Sequence, residues 1–205
     1  DIISNAEWQT IARDIAAQQS GGTNNWGLDF FGQMIINHGH IDNSPGHSCD
    51  ASHVSVDTDC ADTGEEDDFA EKRTHNLSNS EVIWDLAGNV WEWVKDNNTT
   101  TLYKGSFQWD FWTDWTDANS DGISDSYSST QDLFGPLDLT PALCTYPGVI
   151  NRCGFGYFFD DDAGAVIRGG QWNNVSPYSG VFSATLSVAP SSSGDNFGFR
   201  CVFHP

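Results

Sequence analysis

The first twenty residues carry the clearest periodic pattern in the chain. Trp8, Ile11, Ile15 and Ala16 recur at the spacing that puts side chains on one helix face. Ser4 or Asn5 can cap that helix, and Glu7 falls in its first turn, where the helix dipole favours a carboxylate. Gly21-Gly22 is the expected stop. Residues 21–80 are then polar and glycine-punctuated, with few strand signals, and Asp57 to Asp68 is acidic enough to need solvent or cations. Apolar density returns at residues 81–95, EVIWDLAGNVWEWVK, a Trp-rich stretch read as packed core around a tight Gly88-Asn89 turn. Residues 96–163 are rich in Thr, Asn, Asp and Ser, with the aromatic run FQWDFWTDW, and are expected to be an insertion. Residues 165–172 (AVIRGGQW) and 197–203 (FGFRCVF) read as two strands. The coarse class is mixed, with few helices, short strands and a majority of loop.

Composition narrows the picture. The 205 residues suit one domain with a full core, and 13 Phe, 9 Trp and 5 Tyr exclude a disordered chain. No apolar run approaches the ~18 residues of a membrane-spanning helix. With 29 acidic and 8 basic side chains the formal net charge is −21. That charge repels phosphate, disfavouring nucleic acid and anionic lipid as partners, and favours divalent cations or a saline setting. The chain opens on Asp1, so a leader or upstream region is expected to have been removed. Cys49–Cys60 and Cys144–Cys153 would each close a short loop in an oxidising compartment; five reduced cysteines in a cytoplasmic protein is the other reading. Cys201, in an apolar run, is expected to be a buried free thiol. Arg168 and Arg200, embedded in apolar strands, are expected to pair with buried carboxylates.

The catalytic patterns that can be sought by spacing are absent: there is no nucleophile elbow, Walker loop or dinucleotide fingerprint. His38, His40, His47 and His53 sit close together in the first loop region and His75 follows, either as a His/Asp metal site or as solvated loop histidines. Asp117, Asn119, Asp121, the Ile123 carbonyl and Asp125 match the first half of an EF-hand-like loop, although its twelfth position is Ser128. A solvated Asp/Asn/Ser turn is the competing reading.

Three segments in order, Trp84-Asp85-Leu86-Ala87-Gly88-Asn89-Val90-Trp91-Glu92-Trp93, Arg168-Gly169-Gly170-Gln171-Trp172 and Phe197-Gly198-Phe199-Arg200-Cys201, resemble the formylglycine-generating-enzyme, or sulfatase-modifying, type of C-type-lectin-like fold. Ile3-Ser4-Asn5-Ala6-Glu7-Trp8 is similar to that family's entry into its first helix. The resemblance implies a single α+β domain over residues 1–205 with short antiparallel strands. It implies structural Ca²⁺ on the turn, held by Asp85, the Gly88 and Val90 carbonyls and Glu92. It also implies an oxidase with two copper-binding cysteines, but those positions fall near Ser179 and Ala184, and residues 171–196 hold no cysteine. A hydroxyl and a methyl cannot replace a thiolate pair, so enzyme activity of that kind is not expected.

Residues 171–196, QWNNVSPYSGVFSATLSVAPSSSGDN, are small, neutral and hydrogen-bond-capable, with Asp195 the only charge. Such a composition suits an adaptable binding surface. Its place between the RGG and GFR segments resembles the variable proteins of diversity-generating retroelements. That resemblance makes Trp172, Gly180, Phe182, Leu186, Pro190 and Phe197 scaffold. It makes Gln171, Asn173, Asn174, Val175, Ser176, Pro177, Tyr178, Thr185, Ser187, Val188, Ser191, Ser192, Ser193 and Asp195 the exposed ligand-binding candidates. A protein or glycan on another cell or virus is the expected ligand, with display on a cell surface or viral particle. The rival expectations are a divergent metal-dependent oxidase using the histidines, and a structural module of a larger secreted protein.

Overall fold

The computed structural model describes residues 1–18, 25–28, 34–41, 72–97, 113–114, 135, 155–159, 165–173 and 179–203. The predicted helix is α1, Asn5–Ala17, and Ser4 is its cap. The Ser4 hydroxyl accepts from the Glu7 backbone N–H at 3.2 Å, and Glu7 Oε2 accepts from the Ser4 N–H at 2.7 Å. This reciprocal pair satisfies two donors that a helix start leaves open. The helix ends at Ala17, ahead of the glycine pair expected to stop it. Gln18 caps the end, and its side-chain amide donates to the Asp14 carbonyl and to the Asn76 carbonyl, both at 3.1 Å.

Among the described residues ten short strands follow: β1 (Trp26–Leu28), β2 (Met34–Ile36), β3 (Thr74–Asn76), β4 (Val82–Trp84), β5 (Trp91–Asn97), β6 (Thr113–Asp114), β7 (Tyr157–Phe159), β8 (Ala165–Arg168), β9 (Ala184–Val188) and β10 (Phe197–Phe199). β1–β2 and β3–β4 form antiparallel pairs, and the other strands form one sheet in the order β10-β5-β8-β9-β7-β6. Most pairings are antiparallel, but β10 runs parallel to β5, and β7 parallel to β9. The region read as nearly strandless thus supplies β1, β2 and β3. The stretch expected to be an insertion supplies β6 and β7, together with the buried Phe155 and Phe158.

Register assigns the two faces of the sheet. Glu92 opposes Arg168, Arg168 opposes Ala184, and Gly198 opposes Glu92, so these share one face with Val94, Val166 and Leu186. This inner face packs on Ile3, Trp8, Ala12 and Ile15 of the N-terminal segment and helix as the main core. Trp93 opposes both Ile167 and Phe199, Trp91 opposes Phe197, and Ile167 opposes Thr185, so these residues define the outer face. A second apolar cluster lies there: Trp91 and Ile167, with Trp93, Val188 and Phe197 packed around them.

β8 stops at Arg168, four residues short of the predicted strand end, because Gly169 (φ 91°) and Gly170 (φ 89°) turn the chain. A Cβ on Gly170 would meet Ser179 Cα at 2.7 Å, so the close approach of two chains fixes this glycine. β10 likewise ends at Phe199, after which Cys201 makes only a bridge to Ile2. Cys201 is exposed, correcting the expectation of a buried thiol: it lies in phase with Phe197 and Phe199, on the outward side of the alternation, while Val202 takes the core side. Trp84, expected in the core, is 49 % exposed on β4; Ile83 takes the core side of that strand.

Candidate functional site

The turn after β4 joins three distant segments through its backbone. Asp85, Gly88 and Asn89 all have positive φ (50°, 67° and 62°). The Gly88 N–H donates to the Gly169 carbonyl at 2.9 Å, and the Asn89 N–H to the His40 carbonyl at 2.8 Å. The Asn89 carbonyl accepts from Trp172 N–H at 2.8 Å. Leu86 and Ala87 are buried beneath it. A tight turn is what Gly88-Asn89 predicts, and this one also anchors the start of the 171–196 segment.

Both carboxylates expected as calcium ligands face a guanidinium group. Asp85 Oδ1 and Oδ2 accept from Arg73 Nε at 2.6 Å and Nη2 at 2.5 Å. Glu92 Oε1 and Oε2 accept from Arg200 Nη2 at 2.6 Å and Nε at 3.0 Å. Arg200 Nη2 also reaches the Trp84 carbonyl at 2.9 Å and the Asp85 carbonyl at 3.0 Å. Burial pushes the Glu92 carboxyl above its usual range even with Arg200 beside it, whereas the Asp85 hydrogen bond raises the Arg73 guanidinium. Gly88 and Val90, the expected carbonyl ligands, lie within the same turn. The 117–125 loop lies outside the described residues, as do His47, His53, Cys49, Cys60, Cys144 and Cys153.

Arg200 therefore has the buried carboxylate partner its sequence context predicts. Arg168 is more deeply placed: fully buried, with Nη2 donating to Gln9 Oε1 at 2.9 Å and its guanidinium carbon 5.8 Å from the Trp8 ring centroid. Burial, and the charge of Arg13, push it down to about 9, so it stays charged at neutral pH. The same Gln9 side chain donates to the Gly135 carbonyl.

His38, His40 and His75 are buried, against the expectation of solvated loop histidines. His38 and His40 follow β2, and His75 lies on β3. His75 Nε2 lies 3.0 Å from the Asn37 carbonyl, and burial pushes its imidazole down to about 4. Lys72, three residues before His75, is also buried, which lowers its ammonium. Among the described residues no three His, Cys, Asp or Glu side chains gather as a metal-binding group.

The ligand-binding candidates divide by position. Asn173, Ser191, Ser193 and Asp195 are exposed; Gln171, Ser187, Val188 and Ser192 are half-buried; 174–178 lie outside the described residues. Thr185 was expected exposed but is only 4 % exposed, because β9 is an interior strand and its hydroxyl turns to Ser187 Oγ at 2.8 Å. Between β9 and β10, residues 189–196 must pass β8 and β5. Their flanking residues Val188 and Phe197 both pack in the outer cluster. Two turns shape it, Ser192 N–H to the Ala189 carbonyl at 2.8 Å and Phe197 N–H to the Gly194 carbonyl at 3.4 Å. Its end is tied down by Trp91 N–H on the Asn196 carbonyl at 2.9 Å and by the Asn196 amide on Gln171 Oε1. In that cluster Trp93 and Phe197 stack with centroids 5.5 Å apart.

Two positioning residues carry no sequence signal. Arg73 sits in a polar stretch, and Gln9 lies on the helix face that would be called core. Only the folded chain brings them to Asp85 and Arg168.

A capped helix on one face of a mixed sheet, with short hairpins and a glycine-asparagine turn at its hub, defines an α+β protein of the formylglycine-generating-enzyme type. The family model for the Sulfatase-modifying factor enzyme 1-like domain matches residues 2–205, and the chain belongs to that family. Neither the curated proteins nor the solved structures contain a match to it.

Proposed function

We propose that this chain is a ligand-binding display domain that takes a protein or glycan target on its C-terminal segment, as the variable proteins of diversity-generating retroelements do. The observation that carries this reading is the 189–196 crossover. It sets Ser191, Ser193 and Asp195 outward while its two ends are fixed to a packed aromatic face. Small polar side chains on a rigid mount can change without disturbing what holds them, which is what a repertoire of binding surfaces requires. Asn173, on the loop held by the Asn89 carbonyl, extends the same exposed set.

The reading includes no catalytic step. Ser179 and Ala184, near which the resemblance puts the family's paired cysteines, are fully buried, with Ser179 against the Gly170 backbone. Neither side chain can supply a thiolate. On this reading the domain is presented on a cell surface or viral particle.

The decisive experiment is sequencing of the gene's neighbourhood and of sibling isolates. A reverse-transcriptase gene beside a near-copy of codons 171–200, mismatched only where the copy has adenine, is the expected finding; its absence removes the retroelement reading. Metal analysis of the purified protein separates the oxidase alternative, since stoichiometric iron or copper would favour catalysis.

A further inference from the structure

We propose that the 85–93 turn is closed by a guanidinium group in place of a metal ion, making this part of the fold independent of calcium. A hard cation there would need the oxygens of Asp85 and Glu92 together with backbone carbonyls. Arg200 already collects such a set. Its two donor nitrogens take both Glu92 oxygens, the Trp84 carbonyl and the Asp85 carbonyl, all within 3.0 Å. Arg73 forks onto both Asp85 oxygens, and the Asp85 N–H closes the pair from the other side on the Arg73 carbonyl at 2.7 Å.

Two arguments then separate an organic cation from calcium. The first is geometric. A fork-to-fork Arg–carboxylate pair occupies the syn lone pair of each oxygen, and these are the ones a bidentate calcium ligand offers. The second is charge. Two carboxylates facing two guanidinium groups are already neutral, and a divalent ion added to them would bring an uncompensated double charge to a largely buried Glu92. In a chain with 8 basic and 29 acidic side chains, committing two arginines to one turn is consistent with their replacing a cation. The family's calcium donors are thus present in this turn, but as they stand they do not fit the ion.

The test uses the whole purified chain, stripped of metal. Thermal unfolding is followed in excess chelator and in excess calcium, and terbium luminescence is excited through tryptophan, since Trp84 precedes the turn and Trp91 and Trp93 lie within it. The wild-type Tm should move by less than about 1 °C between the two conditions, or by an amount that Glu92→Gln and Asp85→Ala both preserve, which places any bound calcium elsewhere. The double variant Arg73→Gln/Arg200→Gln should gain a calcium-dependent rise in Tm and a sensitised terbium signal. A wild-type calcium response that Glu92→Gln abolishes overturns the proposal. Should Glu92→Gln fail to fold, loss of that response in Asp85→Ala overturns it equally.

Discussion

The 85–93 turn and the 189–196 crossover are neighbours, joined by the Trp91 N–H on the Asn196 carbonyl, yet they are built on opposite plans. In the turn, backbone groups bridge three segments, both carboxylates meet arginines, and the side chains below are buried. In the crossover, two backbone turns and two flanking apolar residues fix the path, and most side chains between them face solvent. One region is held throughout by backbone and side-chain contacts, and the other by its ends. Substitution should therefore be costly in the first and nearly free in the second.

The largest expected effect lies in the frame beneath the turn. Trp8 is fully buried, gives its indole N–H to the Val181 carbonyl at 2.9 Å, and lies under both Gly169 and the Arg168 guanidinium. Trp8→Ala should cost about 3–5 kcal/mol, read as a lower urea midpoint. A loss below about 1 kcal/mol would mean that the inner face is not the frame described.

Next in size is the arginine lock. Arg200→Ala leaves the Glu92 carboxylate buried without its cation, a loss of about 2–3 kcal/mol, softened because solvent reaches the 22 % exposed Arg200 side chain. Glu92→Gln should cost less, because it leaves the charge on the more exposed partner. Unfolding both variants at neutral pH checks the order, and equal losses would put the weight on packing instead of charge.

Acid provides the third. His75 takes its proton near pH 4 when folded and near 6.5 when unfolded, so between those values the unfolded chain binds more protons. Stability is therefore full above pH 6.5 and is lost as the pH falls through that window, by roughly 2 kcal/mol at pH 5. His75→Gln, which keeps a donor for the Asn37 carbonyl, should flatten this slope. An unchanged slope would assign the acid sensitivity to other groups.

The same contrast decides how much could be read without the fold. The helix was legible because Ser4, Glu7 and the Trp8–Ile11–Ile15 spacing are local signals. The Gly88-Asn89 turn was legible because positive φ restricts residue type. Cys201 and Thr185 were not: apolarity suggested burial for one and polarity suggested exposure for the other. Their positions follow instead from strand phase and from the place of β9 within the sheet, both set by pairings distant in sequence. The arginine partners divide similarly. Arg200 invited a carboxylate because it sits in an apolar strand, whereas Arg73 gave no such sign. Three-residue strands such as β1 and β3 carry too few positions for alternation to register.

The smallest expected effect is the most informative about function. Asn173, Ser191, Ser193 and Asp195 are exposed, and none is a flank or tie of the crossover. Replacing all four by alanine should move stability by no more than about 0.5 kcal/mol per site, while any target captured by the wild-type domain should bind at least tenfold more weakly. Asn196→Ala should behave differently. It removes the amide tie to Gln171 and loosens the crossover's end, so stability and binding should fall together. If the quadruple variant unfolds like Asn196→Ala, the crossover is part of the frame and cannot vary freely. If it stays folded and keeps its target, the surface that binds lies elsewhere on the domain.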